Sequence, residues 1–551
     1  MEKEKKLTAI LLTALFLISI AIAIPIKQVN ASPVELHVGL GQAYTTIQAA
    51  INDANQGDMI IVHEGIYNEN VVINKSLTIQ GTDKENVIID GTGLSGKGVS
   101  VEADYVTIKN LTIRNFKSGN WPWGIELVSA SHCVLEDLIV LNCTSGGINL
   151  WKGCHNNVVR NNLIKYCDGN GISIYGSDVG CTYNLIEGNT IVDCAFASTD
   201  GYRVPAIAAF SGASNNIIKN NVLKQEAYVG KGRGITLWGL TYSGADMPEA
   251  DNVIHNNTIM NFEVGIYIIG CNPYTGSVNL IRNTTVTQNT VTNNLVGFKQ
   301  IGFEGGYSPI TLHYNNIYDN DDYGALVDIT YGTAILNATL NWWGDPSGPH
   351  HPTLNPDGLG DEVSDNVDFD PWLTAPITVV SSKAGTDEWL EFPESDVEVY
   401  VSGSATVYIA TYESNPGASF MGDIGNYIDV YIPDTSGLTE LEVRKYYTDE
   451  EIEALGLMES SLRMYWWNGT DWLPCSETGV NTAENYIWAT VNATTTPSLT
   501  DLTGTPFGAA GRVPVGGVIL PVDKLSVITP WLLIAAIIAS GTILILRKTR
   551  P

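Results

Sequence analysis

The sequence predicts a mainly β protein: a parallel β-helix solenoid, then an antiparallel β-sandwich-like domain, then a C-terminal transmembrane helix. Two repeats carry the solenoid. Gly124-Ile-Glu-Leu returns as Gly147-Ile-Asn-Leu, Gly171-Ile-Ser-Ile, Gly234-Ile-Thr-Leu and Gly265-Ile-Tyr-Ile, with looser copies from Ala206, Gly297 and Gly324, every 23 to 35 residues. Between these lie paired asparagines five residues apart: Asn157 and Asn162, Asn184 and Asn189, Asn216 and Asn221, Asn252 and Asn257. A period of 20 to 50 residues with strand-like alternation inside each copy marks a solenoid. No copy holds the 10 to 12 residues of helical periodicity that an α-solenoid needs.

Residues 1–31 read as a secretory signal, with Lys3, Lys5 and Lys6 ahead of an apolar run and Ala31 at a small-residue cleavage site. The β-helix is expected over residues 32–375. A capping helix opens it from Thr45 to Ala54, since Ile47, Ala50, Ile51 and Ala54 share one helical face. Strands begin at Met59 and Val71. Each coil is built from short β-branched strands with turns at Asn, which tolerates left-handed backbone angles and suits ladders between stacked coils. Asn341-Trp-Trp-Gly and the acidic stretch Asp357 to Asp370 close the far end.

Residues 376–505 carry longer alternating strands at Val397, Ala405 and Tyr427, a short helix from Thr448 to Leu462, and a hairpin turning at Asn468-Gly469. This predicts a sandwich-like stalk. Residues 506–526, rich in Gly and Pro, form the expected linker. Residues 527–546 match the length of a membrane span, and the basic tail 547–551 places the C-terminus in the cytoplasm. The chain is therefore expected on the extracellular side of the membrane, held by one C-terminal helix.

The net charge of −30 excludes nucleic acid as a partner. Asn-x-Ser/Thr sequons at Asn74, Asn110, Asn142, Asn256, Asn283, Asn337, Asn468 and Asn492 are compatible with glycosylation. Aligned on the Asn pairs, Cys143, Cys167 and Cys194 share one column, and Cys154 and Cys181 another. Equivalent positions of adjacent coils come within disulfide range, so Cys154–Cys181 is a candidate disulfide, with buried free thiols the alternative.

Within the Gly-apolar-x-apolar strand, the second and fourth residues after the glycine point outward. The fourth position gives Trp151, Tyr175, Phe210 and Trp238 in four consecutive coils, an aromatic stripe suited to stacking on sugar rings. Asp200 with Arg203, and Lys231 with Arg233, are the catalytic candidates for cleaving a uronic-acid polymer, one group neutralising the carboxylate and another acting as base. No spacing singles them out. Asp357, Asp361 and Asp365 lie in a Gly- and Asn-containing loop that can offer oxygen ligands to calcium, in an arrangement unlike the EF-hand.

From Val34 to Trp372 the chain resembles the pectin-lyase-like right-handed parallel β-helix superfamily, most closely its NosD-type repeats. Tyr44-Thr-Thr-Ile-Gln-Ala-Ala-Ile, Gly65-Ile-Tyr-Asn-Glu-Asn and Leu77-Thr-Ile-Gln-Gly resemble the start of pectin methylesterases. The catalytic phrases of the esterases, polygalacturonases and pectate lyases have no counterpart here. Pro521-Val-Asp-Lys-Leu and the final apolar span resemble the anchors of archaeal cell-surface proteins. The resulting expectation is a surface-anchored protein that binds polysaccharide or envelope glycan without catalysis. It requires no cofactor beyond the calcium candidate, and its further contacts are other envelope proteins. The alternatives are a lyase or hydrolase with diverged motifs, and a structural envelope or adhesion scaffold.

Overall fold

A computed structural model describes residues 33–195, 204–240 and 246–513. From Met59 to Asn337, strands adjacent in sequence do not pair; each pairs in parallel with its counterpart one coil away. Thus Thr107–Lys109, Thr112–Arg114 and Trp123–Val128 enter three different sheets, and Val134–Glu136 returns to the first. Sheet A has thirteen strands, from Glu35–Val38 to Val367–Asp368. Sheet B has ten, from Gly65–Tyr67 to Asn316–Tyr318, and sheet C ten, from Val71–Ile73 to Tyr323–Asp328. Ile125, Leu127, Ile148, Leu150, Ile172 and Ile174 of sheet C point inward, fully buried in one continuous core.

The recurring glycine is explained by the distance between coils. A Cβ at Gly124, Gly147, Gly171, Gly234, Gly265 or Gly297 would lie under 3.0 Å from the carbonyl oxygen of the next coil's matching residue. The paired asparagines stack into ladders. Asn162, Asn189, Asn221, Asn257, Asn289 and Asn315 each donate Nδ2 to the Oδ1 of the next, at 2.9–3.0 Å, and the ladder ends at Asn341. A second ladder joins Asn157, Asn184, Asn216 and Asn252. The residue before each ladder position commonly takes the left-handed turn, as at Asn156, Asn161, Asn215 and Asn220, with φ of 56–57°.

Helix α1, Ile47–Asp53, covers the N-terminal end and buries Ile47, Ala50 and Ile51. Thr46 caps it, and the Glu69 carboxylate accepts from the N–H of Ile47 and Gln48 at 2.8 and 3.0 Å. At the other end the fully buried Trp343 and the strands Gly360–Glu362 and Val367–Asp368 close the core. All eight cysteines are free and buried. Cys154 and Cys181, the candidate disulfide, stack in adjacent coils with the Cys154 N–H donating to Cys181 Sγ at 3.3 Å. They fill the interior as small apolar side chains.

The second domain departs from the expected sandwich. Its nine strands make one antiparallel sheet around Val397–Tyr412, which pairs along its length with Ile377–Phe392. These 16-residue strands are long enough to coil, and register shifts at Thr386/Glu388 and Ser402/Gly403 add twist. The sheet curls until Met464 N–H donates to Thr478 Oγ1 at 2.8 Å across its two ends, nearly closing it. Helix α2 is shorter than expected, Asp449–Leu455, because Gly456 at φ 64° ends it and the chain turns into the strand Met458–Trp467. The last strand, Thr503–Arg512, runs through the start of the expected linker.

This domain packs against the end of the solenoid. Leu340, Trp342, Tyr427 and Trp472 pack at the boundary. Tyr314 from the solenoid and Tyr412 from the second domain donate to Oδ1 and Oδ2 of the fully buried Asp429, each at 2.8 Å. Asn316 exchanges two hydrogen bonds with Ile377. The expected signal and membrane span lie outside the described residues. Among the described residues no helix is long and apolar enough to cross a membrane.

Candidate functional site

Sheet C presents three outward rows. Parallel register carries the fourth-position row through Val128, Trp151, Tyr175, Phe210, Trp238, Ile269, Ile301 and Asp328. The four expected aromatics therefore stand in one unbroken line. Their surroundings differ from the expectation of an open stripe flanked by exposed polar groups. All four rings are half-buried. The flanking row is buried outright, with Glu126, Asn149, Ser173, Ala208 and Thr236 each at most 6% exposed. The face is thus a line of rings rising beside a recessed floor.

The rings are held individually. Trp238 donates its indole N–H to the Cys271 carbonyl at 3.2 Å and stands edge-on to Phe210, centroids 6.3 Å apart. One side of Trp238 rests on the small cluster of Val264, Tyr267, Ile269 and Val296. Trp151 has the Lys97 ammonium 5.8 Å from its ring centroid.

Lys97 also ion-pairs with Glu126, whose Oε1 accepts from Asn149 Nδ2 at 3.0 Å. Burial lowers the Lys97 pKa from its ordinary value. Lys97 belongs to the loop before Val99–Val101, and nothing in its sequence neighbourhood signals that it reaches this face. At the other end of the face, Arg233 lies over the Tyr267 ring at 4.5 Å and Lys299 at 5.4 Å, while Lys299 pairs with Asp328 at 2.9 Å.

Of the catalytic candidates, Lys231 and Arg233 fall among the described residues. Asp200 and Arg203 lie outside the described residues. Lys231 is exposed, and Arg233 is occupied by Tyr267. From Trp123–Val128 to Tyr323–Asp328, the carboxylates in the three outward rows are Glu126 and Asp328, at opposite ends, each paired with a lysine. A glycosidase needs two carboxyl groups roughly 5 to 10 Å apart across the scissile bond.

The calcium candidates also separate. Asp361 ends a third ladder, accepting from Asn320 N and Nδ2 at 3.1 and 2.7 Å. Asp365 lies 3.3 Å from His351 Nε2, and Asp357 is exposed. Among the described residues no group of three or more His, Cys, Asp or Glu side chains could hold a metal ion.

A family model described as "Right handed beta helix region" matches residues 54–242. The solenoid is a parallel β-helix and is similar to that family over this stretch. A curated "Cell surface glycoprotein" of Methanothermus fervidus is 26% identical over 370 residues, covering 59% of this chain and 54% of that protein. The β-helix chain thus spans about half the length of the curated relative it matches. Among solved structures, an alginate lyase from Paenibacillus is similar at 17% identity and TM-score 0.38, over 61% of this chain and 99% of that one. The mannuronan C-5 epimerase AlgE4 A-module of Azotobacter vinelandii is similar at 14% identity and TM-score 0.36, over 59% of this chain and 94% of that one. Activity does not follow from a shared fold.

Proposed function

We propose that this chain is a cell-surface β-helix protein that binds polysaccharide along the aromatic row of sheet C without cleaving it. The observation that carries this reading is the register of Trp151, Tyr175, Phe210 and Trp238 as one half-buried line in four consecutive coils. Rings repeated at the coil spacing of about 4.8 Å offer a polymer the same contact several times over. The match to a cell surface glycoprotein supports display outside the cell, and the expected C-terminal span would anchor the chain there. The separation of Glu126 from Asp328 favours binding over hydrolysis.

Electrophoresis of the protein through gels containing plant, algal or microbial polysaccharides, with and without calcium, tests the reading. At least one polymer retards the wild type, and Trp151→Ala abolishes most of that retardation with the denaturation midpoint unchanged. Trp238→Ala weakens retention as well but also lowers stability, because its ring packs on Val264 and Ile269. Equal retardation of wild type and Trp151→Ala overturns the proposal, and new polymer fragments would replace it with the enzymatic reading.

A further inference from the structure

Two outward rows of sheet A change character together. One runs Lys109, Glu136, Arg160, Glu187 and Lys219, then becomes His255, Thr287 and His313. Its first part is a ladder of alternating charge, with Arg160–Glu136 at 2.6 Å and Lys219–Glu187 at 3.0 Å. The other row runs Val134, Val158, Leu185, Ile217 and Val253, then becomes Thr285 and Thr311. In the same coils, therefore, charge gives way to imidazole and aliphatic carbon gives way to hydroxyl.

These are the coils that the second domain overhangs. Between them and Ser381, Ser382, Tyr408 and Tyr431 lies a cleft of about 530 Å³. That falls within the roughly 300–1,000 Å³ of small-ligand sites. Tyr408 and Tyr431 face each other with centroids 5.6 Å apart, and His313 meets Tyr431 edge-on at 6.3 Å. Among the described residues no Asp, Glu, Lys or Arg lines the cleft, in a chain of net charge −30. Burial lowers the pKa of His255 and of His313 from the ordinary imidazole value, which disfavours the charged form. The side-chain hydroxyls of Thr285, Thr287, Thr311, Ser381, Tyr408 and Tyr431 make no hydrogen bond to another described residue, and the Ser381 oxygen is buried.

We propose that this cleft is a second binding site, independent of the sheet C row, for a short neutral oligosaccharide. A sugar ring offers both halves of what the walls present. Its C–H faces suit Tyr408 and Tyr431, and its hydroxyls suit the Thr, Ser and His groups. An anionic ligand would shed hydration without meeting a cation, and a purely apolar ligand would strand the hydroxyls.

The test uses the full chain and isothermal titration with maltotriose, cellotriose, mannotriose and, as the charged counterpart, trigalacturonate. The key variant is Thr285→Val with Thr311→Val. It keeps the shape of both side chains and installs the residue that Val134, Val158 and Val253 already place in that row, so the fold tolerates it. At least one neutral trisaccharide should bind with a Kd of about 1 mM or tighter. The double variant should weaken it about tenfold or more, the loss expected for two hydrogen bonds. Trp151→Ala combined with Trp238→Ala should leave this binding unchanged. The proposal is overturned by no neutral trisaccharide binding at about ten times that concentration, by binding that survives the double valine variant, or by preference for trigalacturonate. Binding lost with the tryptophans but kept with the valines would assign the sugar to sheet C and reject the cleft.

Discussion

Asn220 and Asn221 are neighbours in sequence with unrelated tasks. Asn220 is exposed at φ 57°, where its value is conformational. Asn221 is fully buried, accepts at Oδ1 from Asn189 N and Nδ2, and donates to the Ile186 carbonyl and to Asn257. Asn221→Ala strands buried donors and an acceptor on the two neighbouring coils and should cost about 3 kcal/mol or more. Asn220→Ala should cost about 1–2 kcal/mol, the penalty of a left-handed non-glycine residue. Urea denaturation of the two variants measures the contrast, and equal losses would contradict the ladder's role. The Asn pairs were legible in sequence because both tasks select the same residue type at a fixed interval. Lys97 was not, because its approach to Glu126 and Trp151 depends on how a glycine-flanked loop folds against later coils.

At the scale of elements, the repeating glycine is a spacing device. A Cβ on Gly147 would lie 2.5 Å from Ile164 Cγ2 and 2.6 Å from the Gly171 carbonyl oxygen. Gly147→Val should therefore open the corner between sheets B and C and destabilise the solenoid by about 4 kcal/mol or more. Gly306, where an added Cβ would meet nothing within 4 Å, is the control. Gly306→Ala should stay within about 0.5 kcal/mol, and calorimetry of both variants checks the pair. Strand positions followed from alternation, and α1 from the shared helical face of Ile47, Ala50, Ile51 and Ala54. The pairing of the second domain did not follow. Alternation in Val397–Tyr412 shows a strand with two faces, but whether its partners form one curled sheet or two packed sheets depends on residues distant in the chain. The early end of α2 turned on Gly456, which a helical pattern running to Leu462 had overridden.

For the whole molecule the decisive contact is the buried carboxylate shared by two tyrosines at the domain boundary. Burial pushes Asp429 up to about 6. A folded-state value above the ordinary carboxylate value means that folding favours the neutral acid. The associated stability is complete below about pH 4 and is lost as pH rises through about 6. The wild type should thus lose about 2–3 kcal/mol across that window relative to Asp429→Asn. Melting curves of both proteins at pH 4.5 and 7.5 measure the difference, and parallel pH dependence would exclude Asp429 as its source. Asp361, raised to about 6 by burial, should add a change of the same sign, common to both proteins.

Because Tyr314 and Asp429 join the solenoid to the second domain, the direction of the solenoid axis is set by that domain. The rows of sheet C run along this axis, across the strands. On the proposed function, a polymer lying on Trp151, Tyr175, Phe210 and Trp238 would run lengthwise, toward or away from the second domain. If the chain is anchored beyond residue 513, captured polysaccharide would stand out from the cell like a mast instead of lying flat against it.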